Sequence, residues 1–307
     1  MQRILHLALA AVFVAIAPTA LAEDIEKPRF HHTHINAVDP AKSIQYYVTM
    51  FGAVPTKYRS LSDAVFVDRS FILFNKVAQP APWKMESGIY HIGWGGVDGP
   101  SEFDWRSKKG MQWETPLSTL GNNYFMYAYG PDKEVVEVWT GFQHERFGHV
   151  HLFSEDVGAA TQWYVSNLGV TGPARLSPKP PAAPADFKAD PKNPMEIFRY
   201  LWSSQVSTDN DVAINLFAKP SKDTVNWWNY DPLGELVASD GRAIDHIAFS
   251  YRNIQPVYDR MKAAGVEIVD EIKARPEFGF KSFFVRGPDK VLIEIVEEKP
   301  IPEGLWD

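Results

Sequence analysis

The sequence predicts an α+β protein assembled from four related units, and three repeats carry that prediction. Gly130-Pro131-Asp132-Lys133 recurs as Gly287-Pro288-Asp289-Lys290, and Glu137 recurs as Glu294, both at an offset of 157 residues. His32-Thr33-His34-Ile35 recurs as His149-Val150-His151-Leu152; in each copy an Asp follows seven residues after the first His, and an amphipathic stretch then ends at Gly. Tyr90-His91-Ile92 recurs as Asp245-His246-Ile247. Self-similarity of this kind marks an internal duplication.

Each unit opens with a His-bearing strand, continues through a helix and closes with strands. Asp39 and Asp156 stand where a helix N-cap is needed, and Gly52 and Gly169 where a left-handed C-cap is needed. Further helices are expected over 102–108 and 254–264. The closing strands are expected at 71–75, 135–140, 212–217 and 291–296, where apolar and β-branched residues concentrate. The Pro- and Ala-rich segment 178–194 reads as an extended surface loop, and 140–148 as the joint between two halves.

Composition narrows the function classes. The 307 residues suit about two domains. A content of 45% hydrophobic and 22% charged residues excludes a disordered or collagen-like chain. The net charge of −7 argues against non-specific nucleic-acid binding, which needs a basic footprint. The lack of cysteine excludes disulfides, thiolate ligands and cysteine nucleophiles together.

Residues 1–22, MQRILHLALAAVFVAIAPTALA, combine Arg3, an apolar run and Ala20-Leu21-Ala22 before Glu23, the pattern of a secretory signal peptide. The run is shorter than the ~20 apolar residues of a membrane span, so no membrane attachment is expected after cleavage. Cleavage would leave 285 residues with a net charge of −8. No Arg-Arg pair is present, so export of an unfolded chain is expected, with folding and metal uptake in the periplasm or outside the cell.

The mature chain has eight histidines, and seven lie in or directly before the opening strands. Alternation places His32 with His34 on one face, and His149 with His151. Glu137 lies between Val136 and Val138, and Glu294 between Ile293 and Ile295. A carboxylate on the inner face of such a strand is costly unless paired or bound to metal; the alternative places both on solvated edge strands. Trp113, Trp139, Trp227, Trp228 and Tyr230 either line an apolar cleft or serve ordinary packing. Trp139 is the best placed for a cleft, because it shares a strand face with Glu137. Gly93-Trp94-Gly95-Gly96 lacks the lysine and spacing of a phosphate loop and marks a bulge or close backbone approach. No G-x-S-x-G nucleophile elbow is present.

At these residues the sequence resembles the vicinal oxygen chelate superfamily, which includes glyoxalase I, bleomycin and fosfomycin resistance proteins, methylmalonyl-CoA epimerase and extradiol dioxygenases. The resemblance spans nearly all of 30–297 and rests on HTHINAVDPAKSIQYYVTMFGA, DHIAFSYRNIQPVYDRMKAAGVEI and the GPDKxxxE endings. It implies βαβββ modules paired into two open barrels, a first domain over 28–143 and a second over 144–300. It also implies two sets of metal ligands: His32, His91 and Glu137 in the first barrel, and His149, His246 and Glu294 in the second. Leu73 and Asn215 fall at the position of a possible fourth ligand, so each set is two His and one carboxylate rather than the four-ligand set of glyoxalase I.

Three ligands on one face leave about three octahedral positions for a substrate with adjacent oxygens. A divalent ion there, Fe2+, Mn2+ or Zn2+, acts as a Lewis acid. The resemblance is nearest to extradiol ring-cleaving dioxygenases; a glyoxalase-like lyase or isomerase comes second, and a non-catalytic small-molecule-binding protein is the alternative. The partner expected in every case is a small molecule; the sequence carries no signal of oligomeric state. Extradiol enzymes typically keep their site in the second barrel, with a His and a Tyr beside the metal. Here Phe284 stands ten residues before Glu294, whereas Tyr127 stands ten before Glu137. This favours the first barrel, with Tyr127 and His34 as proton donors. His34 and His151 have a second role open to them, as hydrogen-bonding supports or extra ligands.

Overall fold

The computed structural model describes residues 25–80, 86–188, 190, 192–193, 196, 198–221, 233–276 and 279–299. The leader, Trp227, Trp228, Tyr230 and part of 178–194 lie outside the described residues. The first unit runs β1 (Arg29–Ala37), α1 (Pro40–Phe51), β2 (Val54–Tyr58), β3 (Ser62–Val67), β4 (Ser70–Lys76). The second runs β5 (Ile89–Gly96), α2 (Gly99–Lys108), β6 (Gln112–Leu120), β7 (Asn123–Tyr129), β8 (Val135–Thr140). The third runs β9 (Arg146–Ser154), α3 (Val157–Trp163) with a π-helical turn at Tyr164–Leu168, β10 (Ser203–Ser207), β11 (Ala213–Ala218). The fourth runs β12 (Ile244–Ser250), α4 (Gln255–Ala263), β13 (Ile268–Arg275), β14 (Phe280–Arg286), β15 (Leu292–Val296).

The α+β class and the four modules are as expected, and local chemistry explains the helix ends. Asp39 accepts from the Lys42 N–H and Asp156 from the Ala159 N–H, while Gly52 and Gly169 end the turns at φ of 63° and 80°. The third module differs: among the described residues it closes with β10 and β11, and a Thr171–Ser207 bridge takes the outer position.

Strand pairing departs from the expected halves. In each module the last strand lies parallel to the first: β4 on β1, β8 on β5, β11 on β9, β15 on β12. Modules then join through two antiparallel pairs, β1 with β12 and β5 with β9. One mixed sheet has the order β13-β14-β15-β12-β1-β4-β3-β2, the other β10-β11-β9-β5-β8-β7-β6. The first module therefore shares a sheet with the fourth, and the second with the third. The spans 28–143 and 144–300 each give one module to each sheet. The segment 140–148, expected as an inter-domain joint, runs from the end of β8 into β9, two strands of a single sheet.

Consecutive modules meet through their helices instead. Arg106 on α2 donates from Nε to the Met50 carbonyl at the end of α1 (3.0 Å), and Arg260 on α4 donates to the Asn167 carbonyl (2.8 Å). A cation at a helix C-terminus satisfies orphan carbonyls and opposes the dipole's negative end. The repeated GPDK turns act in parallel: Asp132 accepts from the Val38 N–H (3.0 Å) and Asp289 from the Glu155 N–H (2.8 Å). The duplication thus extends to the side chains that hold neighbouring modules together.

One apolar core contains residues of both sheets, with Phe30 5.8 Å from Phe147 across them. Trp94 is its hub, 2% exposed and ringed by Phe51 at 4.5 Å, Phe147 at 5.1 Å and Tyr47 at 5.8 Å. Val136, Val138, Ile293 and Ile295 face this core, so Glu137 and Glu294 point to the opposite faces of the sheets. Trp94→Ala should cost about 3–5 kcal/mol, the range for deleting a large buried side chain. Urea unfolding checks this; a loss below 1 kcal/mol would show that the hub repacks.

Candidate metal centres

Cross-module pairing decides which side chains meet. The expected set His32, His91, Glu137 is not assembled, nor is His149, His246, Glu294. The partners are exchanged: His149 joins His91 and Glu137 on the seven-stranded sheet, and His32 joins His246 and Glu294 on the eight-stranded one. The residue types and strand positions of the prediction hold, but the grouping does not, because modules pair 1 with 4 and 2 with 3. Tyr127 and His34, expected together, lie in different sheets; the histidine ring near Tyr127 is His91, at 5.1 Å, and His151 lines the same cavity.

At the first centre, His149 Nε2 lies 2.7 Å from Glu137 Oε2, His91 Nε2 lies 3.2 Å from the same oxygen, and the two nitrogens are 3.2 Å apart. Metal–ligand bonds of about 2.1 Å at right angles place neighbouring donors about 3.0 Å apart. The triangle therefore fits one face of an octahedron around a divalent ion. His91 and Glu137 are in the protonation state a metal needs. Burial, then the charge of His149, lowers His91 to about 4 against the pull of Glu137. Burial alone would raise Glu137, but the charge of His91 and hydrogen bonds from both imidazoles hold it well below the usual carboxylate range.

Glycine creates the room. A Cβ on Gly93 would overlap the His149 imidazole, and one on Gly95 would overlap the Phe142 ring. This is the close approach expected of Gly93-Trp94-Gly95-Gly96. The triad opens on a cavity of about 510 Å³, lined by Tyr127, Glu137, Trp139, His149 and His151, with Phe125, Phe142, Phe198 and Phe217 among its walls. Trp139 thus lines a cleft, whereas Trp113 stacks on Phe103 at 5.0 Å and serves packing. His151, 4% exposed, has its ring 4.7 Å from His91, and its Nε2 has no hydrogen-bond partner among the described residues. Burial, then the charge of His91, lowers it well below the imidazole range.

The second centre is wider and tied from behind. His32 Nε2 lies 3.4 Å from both His246 Nε2 and Glu294 Oε2, and His246 lies 3.7 Å from Glu294. His34 joins as a third imidazole, with donor atoms of His32, His34 and His246 within 4.8 Å of one another. His246 Nδ1 meets Asp245 Oδ1 at 2.6 Å, so its Nε2 faces the centre. A bulge between Phe30 and His32 brings His31 Nδ1 to His32 Nδ1 (2.7 Å), and His31 Nε2 reaches Glu298 (2.7 Å), which Tyr58 and Arg59 also hold. Burial would lower His246, yet hydrogen bonds to Asp245 and Glu294 raise it to about 9. The first centre has none of these supports. Tyr90 replaces Asp245, Gly148 replaces His31, and His91 Nδ1 has no partner among the described residues. Of the expected fourth-ligand positions, Leu73 packs in a small apolar cluster, while Asn215 lines the cavity.

Sequence reasoning did not single out Phe142, or Arg146, which also lines the cavity. No spacing signal reveals them, because β9 is bulged where it meets β5.

Comparison with known proteins follows this geometry. Residues 146–295 match the sequence profile described as the Glyoxalase/Bleomycin resistance protein/Dioxygenase superfamily. No curated protein matches the chain. Among solved structures, glyoxalase I from Zea mays superposes with a TM-score of 0.65 at 16% identity, over 88% of this chain and 92% of that one. A Bacillus subtilis protein, provisionally described as a dioxygenase, superposes at 0.60 with 13% identity, over 90% of this chain and 87% of that one. At such identities the likeness is one of fold. Four strand–helix–strand modules in two mixed sheets give the chain the vicinal oxygen chelate fold. Residues 146–295, just under half of the chain, match the profile of the glyoxalase/bleomycin resistance/dioxygenase superfamily.

Two outcomes follow. Gly93→Ala should push His149 out of the triad and weaken metal binding at the first centre at least ~10-fold, as loss of ligand orientation does, leaving the second unchanged. Calorimetric titration of the metal-free protein with Zn2+ would refute this if both sites kept wild-type affinity. The second outcome concerns acid. Burial lowers His31 and His91 to about 4 and His34 to about 3, and holds His32 and His151 well below the usual imidazole range. The unfolded chain takes up these protons near pH 6.5, so the metal-free fold should lose stability as pH falls from about 6.5 towards 4. Glu134, raised by burial to about 7, and Asp289, also raised by burial, oppose the trend as two groups against five. A melting temperature flat across that window would contradict it.

Proposed function

We propose that this chain is an exported, metal-dependent enzyme acting on a small substrate with adjacent oxygens, and that it works as a ring-cleaving dioxygenase at the first centre. The observation that carries the reading is the triad His91, His149 and Glu137, with octahedral-face spacing, opening on an aromatic cavity. Two imidazoles and one carboxylate with open positions form the donor set of non-haem Fe(II) oxygenases. When bound, such an ion supplies Lewis acidity and, as Fe2+, the electron source that dioxygen needs; Mn2+ suits the same donors, and Zn2+ would give Lewis acidity alone. Export to the periplasm or beyond is supported by the leader at residues 1–22.

The protein's own part is positioning and proton transfer. The aromatic walls favour a flat ring and exclude water. His151, buried and neutral, offers its unpaired Nε2 as acceptor for a hydroxyl proton of the diol. Tyr127 lines the same cavity, with its ring 5.1 Å from His91. The second centre has Phe284 in that place, opposite Glu294 in the ladder. Chemistry therefore belongs to the first centre.

The deciding experiment is oxygen uptake by the mature protein, loaded anaerobically with Fe2+ or Mn2+, on adding catechol. Uptake is expected, with loss in His91→Ala and Glu137→Ala together with metal at the first centre. His151→Asn should lower kcat about 10²–10⁴-fold while keeping the metal. His246→Ala should lower activity far less than His91→Ala. Turnover of an oxoaldehyde–thiol adduct without oxygen use would assign a lyase; tight aromatic binding by the metal-free protein without turnover would assign sequestration.

A further inference from the structure

The cavity has one feature that ring cleavage does not require. Arg146 is the only lysine or arginine lining it among the described residues. Its guanidinium lies 5.3 Å from the centre of the Phe142 ring, which is seated where Gly95 has no side chain. No carboxylate lies within ion-pair distance of it among the described residues. The nearby acids are engaged elsewhere: Glu145 with Arg106 at 3.1 Å, Asp211 with Arg69 at 3.9 Å, and Glu137 with its two imidazoles.

Register explains why Arg146 faces the triad's side. On β9, His149 lies opposite Gly93, and Phe147 opposite Trp94, so two steps on one strand meet one on the other. The extra residue is Gly148, a bulge that resets the alternation. Phe147 faces the core, and Arg146 and His149 both face the cavity although three residues apart. Their partners on β5, Gly95 and Gly93, are two residues apart, about 7 Å along the strand. That is the scale of one aromatic ring with its substituents.

We propose that Arg146 selects substrates bearing a carboxylate, so that the substrate class is an anionic aromatic vicinal diol rather than a neutral one. The diol end lies at the triad and the carboxylate at Arg146. This rests on the first centre being the substrate site. An arginine with no acid of its own, set in an aromatic wall, is a preformed carboxylate receptor.

The test is equilibrium binding to the mature protein loaded with redox-inert Zn2+, read by calorimetry. The probes are 3,4-dihydroxybenzoate, its neutral amide and catechol. The wild type should prefer the acid to the amide about 10–100-fold, the range of a charge-assisted hydrogen bond. Arg146→Ala and Arg146→Gln should lose that preference and keep their catechol affinity; Arg146→Lys should retain part of it. Equal binding of acid and amide by the wild type, a preference surviving in both neutral variants, or no binding of the acid would each overturn the assignment. A preference that disappears with Arg146, alongside no oxygen uptake with any of the three, would instead sink ring cleavage and leave the carboxylate receptor standing.

Discussion

Two antiparallel seams, β1 against β12 and β5 against β9, are the constraint on which the rest of this molecule depends. Each seam sets a histidine of one module opposite a histidine of another: His34 faces His246, and His91 faces His151. The parallel partner on the other side, β15 or β8, then supplies Glu294 or Glu137. Neither centre exists within one module or within one half of the sequence. Either donor set is therefore completed only by the folding together of modules far apart in the chain.

The duplication copied a backbone and then let two chemistries diverge on it. The second centre kept carboxylate support: Asp245 orients His246, and Glu298 acts through His31 on His32. The first lacks both supports and has Tyr127, Trp139 and an apolar-walled cavity. Ligand support and substrate access have thus been distributed between the two copies. The buried imidazoles impose a cost in acid, because the fold resists their protonation. The core compensates, with Trp94 and its aromatic neighbours joining both sheets behind the polar faces.

Neighbouring modules are held differently from sheet partners. Helix-to-helix contacts, closed by Arg106, Arg260 and the two GPDK aspartates, join module 1 to 2 and 3 to 4. Hydrogen-bonded seams join 1 to 4 and 2 to 3. Every module therefore has two kinds of neighbour, and the core lies where the two sets cross. An assignment of domains by sequence halves captures the helix contacts and misses the sheets.

Much of this was legible in the residues. Capping Asp and Gly residues, alternation around Glu137 and Glu294, and histidines gathered in opening strands act through short-range geometry, which sequence spacing records directly. They determined the modules, the α+β class and the types of residue at each centre. What the tertiary structure alone decided was partnership: which His meets which Glu, that Tyr127 shares a cavity with His151 rather than with His34, and that Arg146 turns inward past the Gly148 bulge. Seams between distant strands form through hydrogen bonds common to every backbone, and a bulge shifts register by one residue. Neither leaves a periodic trace in the order of amino acids.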